Sequence, residues 1–98
     1  MSTPLPTIHM NGTSPEMLRD EYADARTKIA DAHEKLASVE FNGRDYYPQG
    51  PEAWTAAQDQ YRKHLKALSD AADYCLAIAE HCQQAIDEKE QRRNERGI

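Results

Sequence analysis

The residues best equipped for chemistry lie in one short run, Asn42-Gly43-Arg44-Asp45-Tyr46-Tyr47-Pro48-Gln49-Gly50-Pro51-Glu52-Ala53-Trp54. An arginine fork pairs with phosphate through two parallel hydrogen bonds, tyrosine and tryptophan rings stack on bases, and asparagine and glutamine amides read base edges. The helix start that follows, at Gly50 to Ala53, offers free backbone N–H groups and the positive end of a helix dipole to an anion. These groups recognise a ligand. None is a nucleophile beside a general base. The competing structural role is a plug: Phe41, Tyr46 and Trp54 close the end of a helical bundle, and Arg44 pairs locally with Asp45.

A second run, Ile8-His9-Met10-Asn11-Gly12-Thr13-Ser14, precedes another helix start. It reads either as a cap behind a flexible arm or as a second anion site with His9, Asn11 and Thr13 as donors. In a helical hairpin it lies about one helix length from the first run. A neighbouring antiparallel chain brings the two together at a subunit interface, where bundle sites commonly form. The predicted ligand-binding set is therefore Asn11, Thr13, Asn42, Arg44, Tyr46, Tyr47, Gln49 and Trp54.

Catalytic and cofactor chemistry lacks its usual signatures. A di-iron bundle uses Glu-x-x-His, but the residues three before His33, His64 and His81 are Ala30, Tyr61 and Ile78. Cys75 and Cys82 sit seven residues apart, about 10 Å along a helix, too far for a disulfide. His81 points about 100° away from Cys82, so no zinc set forms. No phosphate-binding Gly-x-x-x-x-Gly-Lys loop and no Gly-x-Ser-x-Gly elbow occurs. The sequence predicts a protein that is not an enzyme and holds no metal and no cofactor.

The net charge is −5. The densest basic run, Arg92-Arg93-Asn94-Glu95-Arg96, is interleaved with glutamate, which argues against duplex nucleic acid as a partner. MSTPLPTIHM has neither the basic nor the apolar region of a signal peptide, and no apolar run is long enough to span a membrane. Two buried free thiols suit a reducing cytoplasm.

The elements that position these residues follow from periodicity. The 98 residues form one domain. Residues 1 to 13, with Pro4, Pro6 and Gly12, predict an extended arm. Thr13-Ser14-Pro15-Glu16 reads as a capping box with proline in the first turn. Leu18, Tyr22, Ala25, Ile29, Ala32, Leu36 and Val39 form a heptad seam and predict a first helix over residues 14 to 39. Asn42-Gly43 and Pro48 break it, giving a loop over residues 40 to 51. Trp54, Ala57, Tyr61, Leu65, Leu68, Ala72, Cys75, Ala79, Cys82 and Ile86 predict a longer second helix over residues 52 to 93, with a frayed tail from 94 to 98. Its doubled four-residue step near Leu65 resembles a stutter. Leu76 and Ile78 widen the stripe, and a second subunit is expected to cover them. Tyr22 and Tyr61 are expected at the core edge with hydrated hydroxyls, and His33 and His64 on solvated faces. The fold class is all-α, an antiparallel αα-hairpin with an extended N-terminal arm. Because a hairpin buries only one side of each helix, a homo-oligomeric bundle, a dimer or higher, is expected.

The two chemistry-bearing runs also carry a likeness. Ile8-His9-Met10-Asn11-Gly12-Thr13, with Val39-Glu40-Phe41-Asn42-Gly43-Arg44-Asp45-Tyr46-Tyr47 and Gln49-Gly50-Pro51-Glu52-Ala53-Trp54, resembles a family of short phage and prophage proteins of no assigned activity. The likeness covers most of the chain and is specific in those segments. It implies a phage accessory protein working in a bacterial cytoplasm, and it carries over no catalytic residues. In size and helical make-up the chain is also similar to phage anti-defence sponges, oligomers that sequester nucleotide second messengers, a comparison by analogy. The expected function is non-catalytic binding and sequestration of a cyclic nucleotide or cyclic ADP-ribose type of signal, countering bacterial immunity. The alternative is a phage structural or regulatory protein–protein interaction module that binds no small ligand.

Overall fold

The computed structural model describes residues 3 to 97, so the ends of the predicted arm and tail lie outside the described residues. Helix α1 runs Pro15–Ala37 and helix α2 runs Pro51–Arg96. No strand occurs among the described residues.

Each boundary has a local cause. Ser14 is extended (φ −61°, ψ 144°), and its Oγ accepts the Met17 N–H at 3.1 Å. The cap is therefore Ser14, one residue later than the Thr13 box expected above. Proline suits the first helical position and pushes the residue before it into extended backbone, which makes that residue the cap. At the other end the Ser38 hydroxyl donates to the Lys35 carbonyl at 2.8 Å, and the Ser38 N–H bonds the Glu34 carbonyl. These bonds satisfy the terminal carbonyls, and α1 stops two residues short of Val39, which is exposed.

The connection is not irregular. It holds two single 3₁₀ turns, Gly43–Asp45 and Tyr47–Gln49. Asn42 starts the first, its Oδ1 accepting the Arg44 N–H at 3.0 Å. Gly50 then enters α2 with φ 100° and ψ 163°, a region open essentially to glycine alone. At the far end α2 continues to Arg96, through the residues expected to fray. Arg93 and Arg96 in the last turn complement the negative end of the dipole.

With 23 and 46 residues, the helices span about 35 and 69 Å, and the molecule measures 73 × 26 × 20 Å. They pack antiparallel. Arg19 donates to the Gln83 Oε1 at 3.1 Å near the start of α1, Tyr22 meets Tyr74 edge-on at 6.2 Å, and the Tyr61 hydroxyl donates to the Leu36 carbonyl at 2.8 Å. The Tyr61 hydroxyl is thus spent on a helix-end carbonyl, where a hydrated one was expected.

The seam on α1 differs from a strict heptad. Leu18, Tyr22, Ala25, Ile29, His33 and Leu36 are half-buried, whereas Ala32 is exposed. The 4-4 step from Ala25 through Ile29 to His33 follows the natural 3.6-residue turn better than 3.5 does, so the face drifts onto His33. Among the described residues the buried side chains are Cys75, Ile78, Ala79, Cys82 and Ile86, all on one face of α2. Ile78 is only 2% exposed within the single chain, so it needs no second subunit. The segment before α1 reaches this stripe instead: His81 Nε2 donates to the Pro6 carbonyl at 2.8 Å, one turn beyond Ile78.

Cys82 is fully buried, and Cys75 is buried beside it as a second free thiol. Burial pushes the Cys82 thiol above its ordinary value, because the thiolate loses its hydration. Neither thiol is expected to react with a water-soluble aromatic disulfide reagent at neutral pH in the native protein, and both should react in denaturant. Fast labelling of the native chain would contradict this packing.

Candidate functional site

The loop's rings are committed to one another. Phe41 stacks on Tyr61 with centroids 4.5 Å apart and planes 17° off parallel. It also meets Trp54 at 4.9 Å and Tyr46 at 5.8 Å, and Tyr46 lies 5.7 Å from Trp54. Gly43 is part of this closure, since a Cβ there would stand 3.2 Å from the indole. The two 3₁₀ turns fold the connection back over the first turns of α2, so the cluster caps the end of the hairpin. Such ring pairs add about 0.5–1.5 kcal/mol each beyond the area they bury.

The polar groups of the loop divide into two sets. Asn42 is half-buried, with its Oδ1 held by the Arg44 N–H. Arg44 reaches outward. Among the described residues its one ion-pair contact is Nη2 to Glu40 Oε1 at 3.9 Å, with both side chains mostly exposed, a pairing of little energetic weight. It does not pair with Asp45. Tyr47 is 72% exposed, and Gln49 also faces solvent. Of the loop residues predicted to bind, the structure leaves Arg44, Tyr47 and Gln49 outward and packs Tyr46 and Trp54 into the cap.

Asn11 and Thr13 are exposed at the opposite end of α1, which at 23 residues places them about 35 Å along its axis from the loop. The chain by itself does not bring the two runs together. At this end lies a hollow of about 900 Å³, near the upper size of small-molecule sites. The N-terminal segment supplies Ile8, His9 and Gly12 to its walls, α1 supplies its first turn, and α2 supplies His81, Lys89 and Arg92. The segment turns back on itself through a Gly12 N–H to His9 carbonyl bond at 3.1 Å, and the His81 bond to Pro6 fixes its far side.

The hollow carries two cations and two acids, so its charge is divided between its walls. Lys89 and Arg92 face it alongside the His9 and His81 rings and the N-terminal end of α1. The opposing acids are Glu16 and Glu88, and the Glu88 Oε1 accepts from Gln84 Nε2 at 3.3 Å. Among the described residues no cluster of His, Cys, Asp and Glu is arranged to hold a metal ion, and no helix is long and apolar enough to cross a membrane.

Sequence reasoning reached His9 but missed His81, Lys89 and Arg92. It treated the basic run near the C-terminus as neutralised by neighbouring glutamates. The available signal was helical spacing: Lys89, Arg92, Arg93 and Arg96 recur at i, i+3, i+4 and i+7, which sorts them onto one face.

The aromatic cap makes a direct prediction. Phe41→Ala, at a half-buried site in contact with three rings, should lower the unfolding free energy by roughly 2–3 kcal/mol. Tyr47→Ala should stay within about 0.5 kcal/mol of the parent. Urea unfolding followed by helical circular dichroism measures both, and equal effects would contradict the cap. No protein-family model, curated protein or solved structure matches this chain.

Proposed function

We propose that this chain is a non-catalytic binding protein that sequesters a small anionic, nucleotide-like signalling molecule. The observation that carries this reading is the hollow of about 900 Å³ beside α1's first turn, with Lys89, Arg92, His9 and His81 on its walls. Lys89 and Arg92 donate hydrogen bonds and offer positive charge, as capture of a phosphate-bearing ligand requires, with Glu16 and Glu88 on the opposing walls. The extended N-terminal arm acts as one wall.

In this reading the site is completed by a neighbouring subunit of a homo-oligomer. Among the described residues five side chains are buried, none of them on α1, so a lone hairpin leaves much of its core to be built by association. A partner packed antiparallel carries its outward Arg44, Tyr47 and Gln49 towards this end, next to Asn11 and Thr13. Asn42, Tyr46 and Trp54 then shape the loop that presents them. The resemblance to phage and prophage proteins supplies the setting: an anti-defence accessory protein in a bacterial cytoplasm, lowering the level of a cyclic nucleotide or cyclic ADP-ribose type of immune signal.

A second reading is a phage protein–protein interaction module. The packing of Phe41, Tyr46, Trp54 and Tyr61 on one another favours it, since rings used as a cap are not free to stack on a base. The two readings separate on a panel of cyclic nucleotides and ADP-ribose derivatives. Sequestration predicts that one class raises the melting temperature by several degrees, as binding at about 100 times the Kd contributes roughly 2.7 kcal/mol. It also predicts that the ligand is recovered chemically intact after denaturation. Lys89→Glu combined with Arg92→Glu should abolish the shift, and Arg44→Ala should reduce it. No shift with any member of the panel favours the interaction module, and recovery of an altered ligand would make the protein an enzyme.

A further inference from the structure

We infer that the captured ligand is an extended one, with two or more phosphate groups spread along the last turns of α2, an inference that rests on the ligand reading above. The basis is a row of four cations. Lys89, Arg92, Arg93 and Arg96 together line a second hollow of about 300 Å³, and Lys89 and Arg92 also line the larger one. The two hollows therefore adjoin at Lys89 and Arg92.

The helix explains why the row exists in an acidic protein. At 3.6 residues per turn the four cations fall within an arc of about 100° and span about 10 Å along the axis. Glu88, Glu90 and Glu95 fall about 40° to 60° outside that arc, and Glu88, which reaches the larger hollow, accepts from Gln84. Among the described residues none of the four cations forms an ion pair. Elsewhere Lys28 and Lys66 are matched by Asp24 and Asp70 at four-residue spacing, while Arg26, Lys35, Arg62 and Lys63 also lack an ion pair among the described residues but do not cluster on one face of a helix end. The helix dipole accounts for Arg93 and Arg96 in the last turn. It does not account for Lys89 and Arg92, one to two turns earlier on the same face.

A ligand with one phosphate can be satisfied in the larger hollow by Lys89 and Arg92. Arg93 and Arg96 lie beyond it and are reached only by a second anionic group some distance from the first. Each further phosphate neutralised by a fixed cation adds affinity and releases bound counterions. The chemistry selected is that of an oligonucleotide-like molecule with separated phosphates.

The test compares two probes by titration calorimetry at fixed ionic strength: AMP, with one phosphate, and a linear diadenylate bearing a 5′-phosphate, with two. The dinucleotide should bind about tenfold tighter or better, equivalent to roughly 1.4 kcal/mol. The Arg93→Gln/Arg96→Gln double variant, altered only at exposed helix-end positions, should lose that advantage and keep its AMP affinity. Equal binding of the two probes, with AMP binding still dependent on Lys89, overturns the extended ligand and leaves the nucleotide-like reading standing. Retention of the advantage in the double variant likewise overturns it. Binding of a mixed-sequence DNA duplex as tightly as the dinucleotide assigns the row to general polyanion attraction and overturns it too. If neither probe binds and Lys89→Gln changes nothing, both readings fall together.

Discussion

One constraint organises this molecule: α2 is twice as long as α1, and its apolar face runs most of its length. A single partner helix covers only the middle. Whatever else the chain contains must lie against the two remaining stretches, or they stay wet at about 25 cal/mol for each Å² of apolar surface. The connection answers at one end with the Phe41, Tyr46, Trp54 and Tyr61 cluster. The segment before α1 answers at the other, held to α2 by the bond between His81 and the Pro6 carbonyl. The two candidate binding regions are therefore by-products of one length mismatch, each built where a non-helical segment folds back onto the longer helix.

Periodicity made this scaffold legible. Two helices, their antiparallel pairing, the early start of α2 at Pro51 and the buried pair Cys75 and Cys82 all follow from seam spacing and proline position. What spacing alone could not supply was the partner for each apolar residue. Ile78 looked like surplus surface for another subunit because spacing on α2 does not say how much of its face the rest of the same chain covers. Ala32 and His33 exchanged roles because one doubled four-residue step moves the seam by one position. The hydroxyl of Tyr61 found a helix-end carbonyl, a pairing that depends on where α1 stops.

The candidate site was legible in part for a related reason. Residue type identified the two chemistry-bearing runs, and the structure places one of them, through Ile8, His9 and Gly12, on the wall of the larger hollow. Type did not reveal how ring packing divides the loop. Tyr46 and Tyr47 are adjacent, yet one joins the cap while the other faces water, because the second 3₁₀ turn begins between them. The cations of α2 were hidden for the opposite reason. A linear sequence interleaves them with glutamates, and only a continuous helix through Arg96 sorts the two signs onto different sides.

The clasp between His81 and the backbone at Pro6 also fixes the hydrogen-bonding state of the ring. A carbonyl oxygen can only accept, so the Nε2 nitrogen must carry hydrogen. The neutral ring meets that demand in one tautomer only. Holding hydrogen on Nε2 for the carbonyl leaves Nδ1 of the neutral ring as an acceptor on the opposite edge. A backbone carbonyl outside any helix thus dictates which hydrogen-bonding character the ring offers to whatever approaches its far side.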